Sequence, residues 1–316
     1  MKREEIAPFL GSTFSGFSKD DLPAKVNLKK GKVRDIVELG DKLLIVTSDR
    51  ISAFDRILTT IPCKGEVLNR LSIYWFNETK DILENHLVEE LTPRSMLVRK
   101  GSVVPIEVVV RGYLTGSAWR DYEADKAVSG IELPKGMRVN QRFDLPLLTP
   151  STKEEQGEHD RPISTKEIVE SGIVEPGLWK RIETAATELF ERGSEVLGKR
   201  GLILVDTKYE FALLDGRLIL VDEIHTPDSS RFWFADTYDE LFEAGKDQRK
   251  IDKEYLRGWL MERGFMGDGE PPEIPDEVRI EVAWRYIQAY ELITGTDFRA
   301  SSGTAEAERE KLMSLT

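Results

Sequence analysis

Cysteine is almost absent from this 316-residue sequence, where Cys63 stands alone. One thiol cannot form an internal disulfide or a cysteine metal cluster, and it fits a reducing compartment, so a cytoplasmic protein is expected. Long apolar runs are missing too. No window approaches the roughly 18 uninterrupted apolar residues of a membrane span, so a soluble chain without a membrane partner is expected. The first residues, MKREEIAPFL, hold no apolar segment of the secretory kind, and no lipidation motif closes the chain. Positive charge is in deficit, with 45 Lys and Arg against 57 Asp and Glu and a net charge of −12. A broad nucleic-acid surface would be basic, which sets nucleic acid aside as a partner. A small anion held by a few focused cations remains open.

Several catalytic signatures are also missing. The sequence has no G-x-x-x-x-G-K-[ST] loop, no G-x-G-x-x-G fingerprint and no G-x-S-x-G elbow. Its histidines, His86, His159 and His225, lack metal-ligand spacing. Zinc chemistry and a serine nucleophile are disfavoured, and each histidine alone reads as structural.

What is present reads as two lobes of mixed α+β structure. A hydrophobic share of 40% excludes wholesale disorder, and the length, at about 150 residues per domain, suggests two domains sharing a cleft. Residues 1–30 are weakly patterned and read as an arm or edge. Residues 33–39 and 42–47 flank Gly40-Asp41 as a hairpin with a primed turn. Residues 64–80 place Val67, Leu68, Leu71, Trp75 and Phe76 at helical spacing. Short strands follow at 96–99 and 106–110, and the lobe boundary falls between them, giving 1–104 and 105–316. Residues 149–160 read as a loop. Ser164 and Glu167 form a capping box, and a longer helix runs from Leu178 to near Gly201. Strands at 202–213 and 218–224 surround Asp215-Gly216, and a last helix runs from Asp276 to before Gly295. No internal repeat is found.

The segment LILVDTKYEFALLDGRLILVDE (202–223) carries the most chemistry. Alternation puts Asp206, Lys208 and Glu210 on one strand face. An odd-length turn would bring Asp222 onto that face, whereas a two-residue turn would put it on the other. Carboxylates crowded beside apolar strands call for a cation. A Mg²⁺ shared with phosphate oxygens answers this, and so does a salt-bridged hairpin face in water. In RGYLTGS (111–117), two glycines let backbone N–H groups approach a ligand, Arg111 offers a fork to phosphate, and Ser117 opens a helix. It also reads as a plain turn. HTPDSSRFW (225–233) sets Ser230 and Arg231 in a loop of short hydroxyls, another candidate anion contact. KGKVR (30–34) could cover nucleotide phosphates through Lys30, Lys32 and Arg34, or end a hairpin in solvent. SDRISAFD (48–55) reads as a binding loop or a connection.

Taken in order, GKVRDI, SDRISAFD, PRSMLVRK, VPIEVVVRGYLTGS, TPSTKEEQGEHD, LVDTKYEF, VDEIHTPDSSRFW and DKEYLRGWL resemble the SAICAR synthetase family, from residue 31 to about 257. GFMGDGEPPEIPDEV and YIQAYELITG extend the similarity nearly to the end. One departure is Ala212, where the family has glycine. The resemblance implies a two-lobed α+β SAICAR synthetase fold, similar to ATP-grasp enzymes and distantly to protein kinases. It further implies a ligase that joins L-aspartate to carboxyaminoimidazole ribonucleotide (CAIR) at the expense of ATP, with Mg²⁺. By the same resemblance Lys30, Lys32 and Arg34 meet ATP phosphates in a nucleotide-covering first lobe, and adenine sits near Val104. Glu210 and Asp222 hold Mg²⁺, Glu210 also serving the nucleotide, while Lys208 and Asp206 are catalytic. Arg111, Ser117, Ser230 and Arg231 clamp the ribotide phosphate, Asp160 meets its polar face, and Arg50 and Ser52 serve aspartate. A monomer is expected. A kinase-like phosphotransferase and a non-catalytic nucleotide-binding module are the competing readings.

Overall fold

The computed structural model describes every residue except 19–21, 23–25, 55, 154–160, 252–253, 302–304 and 316. The chain forms two compact units, each discontinuous in sequence. One comprises residues 1–74, 87–100 and 251–316; the other comprises 75–86 and 101–250. A single cut after residue 104 leaves residues 251–316 with the second lobe, whereas here they return to the first unit.

The first unit begins with β1 (Leu28–Lys30), β2 (Arg34–Leu39) and β3 (Lys42–Thr47). Leu39 pairs with Lys42 across a two-residue turn, and Gly40 supplies its positive φ of 67°. Val37, Leu44 and Val46 point inward and are met by Phe14 and Phe17. The weakly patterned N-terminus is therefore tied down by two aromatic rings. A hairpin of β4 (Arg50–Ala53) and β5 (Arg56–Thr60) stands apart. Next come α1 (Lys64–Glu78), with the expected apolar face buried and its residues from Trp75 onward counted in the second unit, then β6 (Leu87–Thr92) and β7 (Ser95–Arg99), giving a sheet of order β1-β2-β3-β7-β6.

The second unit is built on β8 (Ser102–Tyr113), α2 (Gly116–Glu123), β9 (Arg142–Thr152), α3 (Thr165–Glu170), α4 (Pro176–Gly198), β10 (Leu202–Leu214), β11 (Arg217–Val221), β12 (Ser230–Phe234) and α5 (Tyr238–Glu243). Its sheet runs β11-β10-β8-β9, with β12 also on β10, and every pairing is antiparallel. Residues 149–152 and 230–233, expected as loop, are strand. Two prolines in β9 conceal it, and they are tolerated because β9 ends the sheet, with β8 as its one strand neighbour among the described residues. α4 buries Trp179, Ile182, Ala186, Leu189 and Phe190 and packs on β10. The Ser164–Glu167 capping box opens α3 as expected.

The chain then returns to the first unit as α6 (Glu254–Met261), α7 (Asp276–Thr294) and α8 (Ala305–Met313). α7 belongs there because it buries Val278, Val282, Tyr286 and Ile287, and Arg279 donates to the Thr60 carbonyl at 2.9 Å. Gly295, at φ 70°, ends it. Ala212 pairs with Ile219 on one side and, at a register shift, with Val103 on the other; it is fully buried and is not among the positive-φ residues, so its backbone does not require glycine. No helix among the described residues is long and apolar enough to cross a membrane.

Candidate functional site

One face of the second unit's sheet gathers the charged residues. Asp206 pairs with Arg111 of β8 and Arg231 of β12, while Glu210 pairs with Glu107 of β8. Strand alternation therefore aligns Asp206, Lys208 and Glu210, as expected. The two ends of this row lie roughly 13 Å apart at about 3.3 Å per residue, the scale of a mononucleotide.

At the first end Asp206 is 5% exposed and holds both arginines. Arg111 Nη1 reaches it at 3.2 Å, and Arg231 bonds it through Nε at 3.0 Å and Nη2 at 2.7 Å. Arg111 also donates to Thr149 Oγ1 at 2.9 Å and Ser117 Oγ at 3.1 Å. Burial pulls the Arg111 pKa down and Asp206 opposes it, leaving the group below its usual range. Arg231 is the more open of the two, and its guanidinium lies against Gly116, where a Cβ would collide with it. Gly116 has a φ of 61° and opens α2, so its glycine is required by both space and backbone. Arg231 thus lies at the start of α2, beside Ser117, where the first N–H groups of a helix favour an anion. Ser230, expected as a ligand contact, is buried and donates to Thr207 Oγ1 at 2.7 Å.

At the second end Lys208 Nζ lies 2.9 Å from Glu107 Oε1, 2.7 Å from Glu210 Oε1 and 4.0 Å from Asp222 Oδ2. Lys153 caps the other oxygen of Glu210. Burial opposes the Lys208 charge, but Glu210 and Glu107 outweigh it and hold the ammonium above its usual range. Burial would likewise raise Glu210, yet Lys208 and Lys153 hold it well below the usual carboxylate range. Three carboxylates against two ammonium groups leave one net negative charge. The hairpin turn has two residues, since Leu214 pairs with Arg217, and that register alone would turn Asp222 away. The strand ends at Val221, however, and Asp222 adopts a φ of 69°. This departure from the ladder swings its carboxylate back to Lys208. Glu107 and Lys153 were not expected. Glu107 is a lone charge within VVPIEVVV, a signal open to reading, whereas nothing in the polar stretch around Lys153 marks it.

The fit to a divalent cation is chemical. All the donors are hard oxygens, the cluster is net negative, and Mg²⁺ takes one or two carboxylates with phosphate oxygens completing its shell. No group of three or more metal-ligating side chains forms a cage by itself among the described residues.

In the first unit Lys30 and Lys32 are exposed and Arg34 half-buried. The Gly31 amide donates to the Arg34 carbonyl at 2.7 Å, making a tight loop. Arg50, read from the sequence as an aspartate contact, is 7% exposed and braces that loop. It donates to the carbonyls of Ser15, Gly31 and Lys32 and pairs with Asp35 at 2.7 Å, so four of its five N–H donors are engaged within the protein. Ser52 is half-buried in β4. Val104 is buried at a bulge in β8 within the second unit. Asp160 lies outside the described residues. Cys63 is buried, and burial, with Glu66 and Asp49, pushes its thiol up to about 12, which suits packing rather than attack.

The family model described as SAICAR synthetase matches residues 27–272. Among curated proteins, a phosphoribosylaminoimidazole-succinocarboxamide synthase from Legionella pneumophila is 48% identical over 276 residues, covering 85% of this chain and 88% of that protein. One from Bacteroides thetaiotaomicron is 43% identical over 294 residues, covering 92% and 94%. Among solved structures, a SAICAR synthase from Saccharomyces cerevisiae complexed with SAICAR superposes with a TM-score of 0.80 at 35% identity, covering 92% of this chain and 100% of that one. A SAICAR synthetase in complex with ADP gives 0.66 at 26% identity, covering 87% and 100%.

Proposed function

The chain belongs to the SAICAR synthetase family, and from that membership we infer that it is an ATP-dependent ligase of purine biosynthesis. It joins L-aspartate to the carboxylate of CAIR, giving SAICAR, ADP and phosphate. The observation that carries the residue assignments is the two-ended polar row on one sheet face, an arginine pair at one end and a lysine–carboxylate cluster at the other.

A carboxylate is a poor electrophile. A carboxylate oxygen of CAIR attacks the γ-phosphorus of ATP, ADP leaves, and an acyl phosphate forms. The aspartate amine then attacks the acyl carbon, gives up a proton, and expels phosphate. Such transfer needs positioning and charge neutralisation more than a protein nucleophile, which fits a site without one. Arg231 and Ser117 hold the ribotide 5′-phosphate, with Arg111 and Asp206 fixing Arg231 in place. Lys208 neutralises charge on the transferring phosphoryl group. Glu210 and Asp222 would hold Mg²⁺, which when bound would offset phosphate charge. Lys30, Lys32 and Arg34 offer cations to ATP phosphates, Val104 neighbours adenine, Ser52 serves aspartate, and Asp160 the ribotide's polar face. A nucleotide-covering unit of this kind is the basis for the ATP-grasp and kinase likeness. A monomer in the cytoplasm completes the reading, and the buried free thiol of Cys63 is compatible with that location.

Measuring ADP and amide product with each substrate omitted tests this. Amide is expected only when ATP, Mg²⁺, CAIR and aspartate are all present. Full phosphorylation of CAIR without any amide in the complete mixture would indicate a kinase, and no ADP under any condition a binding module.

A further inference from the structure

Tyr209 lies between Lys208 and Glu210 in β10 but on the opposite face, and it is fully buried. Its hydroxyl is 2.6 Å from Nε2 of His225, which is fully buried as well. The reaction described above uses neither residue. The imidazole is held on several sides. Trp75 meets it edge-on with ring centroids 4.6 Å apart, and the Tyr209 ring lies at 5.5 Å. Gly193 of α4 comes so close that a Cβ there would strike the ring, 2.9 Å from Nδ1. Nδ1 has no hydrogen-bond partner among the described residues, so the ring's hydrogen bonding there rests on the Tyr209 hydroxyl. Both ends of the turn Asp222–His225 take positive φ, 69° and 49°. Left-handed backbone is uncommon outside glycine, Asp and His adopt it more readily than most residues, and such positions gather near functional sites.

We propose that the Tyr209–His225 hydrogen bond is a positioning device for the phosphoryl-transfer end of the site. It pins the turn after β11 to the back of β10, so that Asp222, out of ladder register, faces Lys208 and Glu210. This rests on the roles proposed above for Lys208, Glu210 and Asp222. One hydrogen bond thereby couples the neighbour of both Lys208 and Glu210 to the residue three places after Asp222.

Two variants test it. Tyr209→Phe keeps the ring and removes the hydroxyl, while His225→Asn removes the imidazole and leaves a residue that tolerates left-handed backbone. Kinetics are measured where circular dichroism shows the variants folded. The expected result is a fall in kcat of at least tenfold and at least a threefold rise in the Mg²⁺ needed for half-maximal rate. KM for CAIR should stay within twofold, because Arg231 is fixed separately by Asp206. A lowered melting temperature with unchanged kcat and Mg²⁺ requirement would mean a structural role only and overturns the inference. A crystal structure of Tyr209→Phe, or of His225→Asn should the first not fold, reads the placement without reference to activity. Lengthening of the Lys208 Nζ–Asp222 Oδ2 separation beyond 4.0 Å supports the inference, and an unchanged separation overturns it. An Asp222→Asn control with parental Mg²⁺ dependence would remove the metal role of Asp222, while the crystallographic comparison still decides what places that residue.

Discussion

Arg231 and Arg111 grip the same carboxylate from different surroundings, which separates what their removal should do. Arg231 is partly open, with a side chain 29% exposed, whereas Arg111 is buried and bonded to Thr149, Asp206 and Ser117. Losing a charge-assisted bond to phosphate costs roughly 1.5–3 kcal/mol, or about 10- to 150-fold in affinity. Arg231→Ala should therefore raise KM for CAIR within that range, with little change for ATP, and should also lower the melting temperature, because buried Asp206 keeps only its bond to Arg111 of the two arginines. Arg111→Ala should raise KM too, and it takes from the buried network the guanidinium that bonds Thr149, Ser117 and Asp206, although Asp206 keeps Arg231; a lost charge-assisted bond costs roughly 1.5–3 kcal/mol. Its melting temperature should fall clearly. Arg111→Lys should recover only part of either loss, because a point charge cannot replace a planar fork. Thermal melts alongside kinetics with each substrate varied decide this, and weakening of ATP or aspartate instead would move the arginines to another subsite. Asp222→Asn should leave the fold intact and remove most Mg²⁺-dependent turnover, since this position offers a hard oxygen beside Lys208. Near-normal rates at modest Mg²⁺ would count against it.

Individual strands and turns carry these side chains, and Gly116 shows how tightly. Its Cβ would occupy space filled by the Arg231 guanidinium, at a φ of 61° that alanine resists. Gly116→Ala should thus reproduce the KM defect of Arg231→Ala without removing any charge, and parental KM in a folded variant would show that Arg231 is free to shift. The alternation of Asp206, Lys208 and Glu210 was legible in the sequence because period-two geometry is local. So were the Gly40-Asp41 turn, the apolar face of α1 and the stop at Gly295. The position of Asp222 was not. Its approach to Lys208 depends on a single positive φ following a two-residue turn, which strand alternation does not encode. β9 was hidden by Pro146 and Pro150, whose tolerance at a sheet edge depends on a strand order set by the whole unit. The bracing role of Arg50 was not legible either, because its partners Ser15, Gly31 and Lys32 arrive from earlier in the chain.

Across the molecule as a whole, the response to acid should begin with one buried ring. Burial alone pushes His225 down to about 3, and no charged group contributes to that shift. The unfolded chain binds a proton there below about 6.5, the ordinary histidine value. A depressed pKa means that the unfolded state holds the extra proton between those two values, so stability is fully present above about 6.5 and is lost as pH falls toward 3. The slope for one such group is at most about 1.4 kcal/mol per pH unit. Glu210, also depressed, adds loss in the same direction, but only below the ordinary carboxylate range near 4.3. The interval from about 6.5 to 4.5 therefore isolates the histidine contribution from that of Glu210. Urea unfolding of the parent and of His225→Asn at several pH values in this interval should give a stability slope that is shallower in the variant by up to one proton's worth. Equal slopes in the two folded proteins would mean that the imidazole is not held neutral in the folded state.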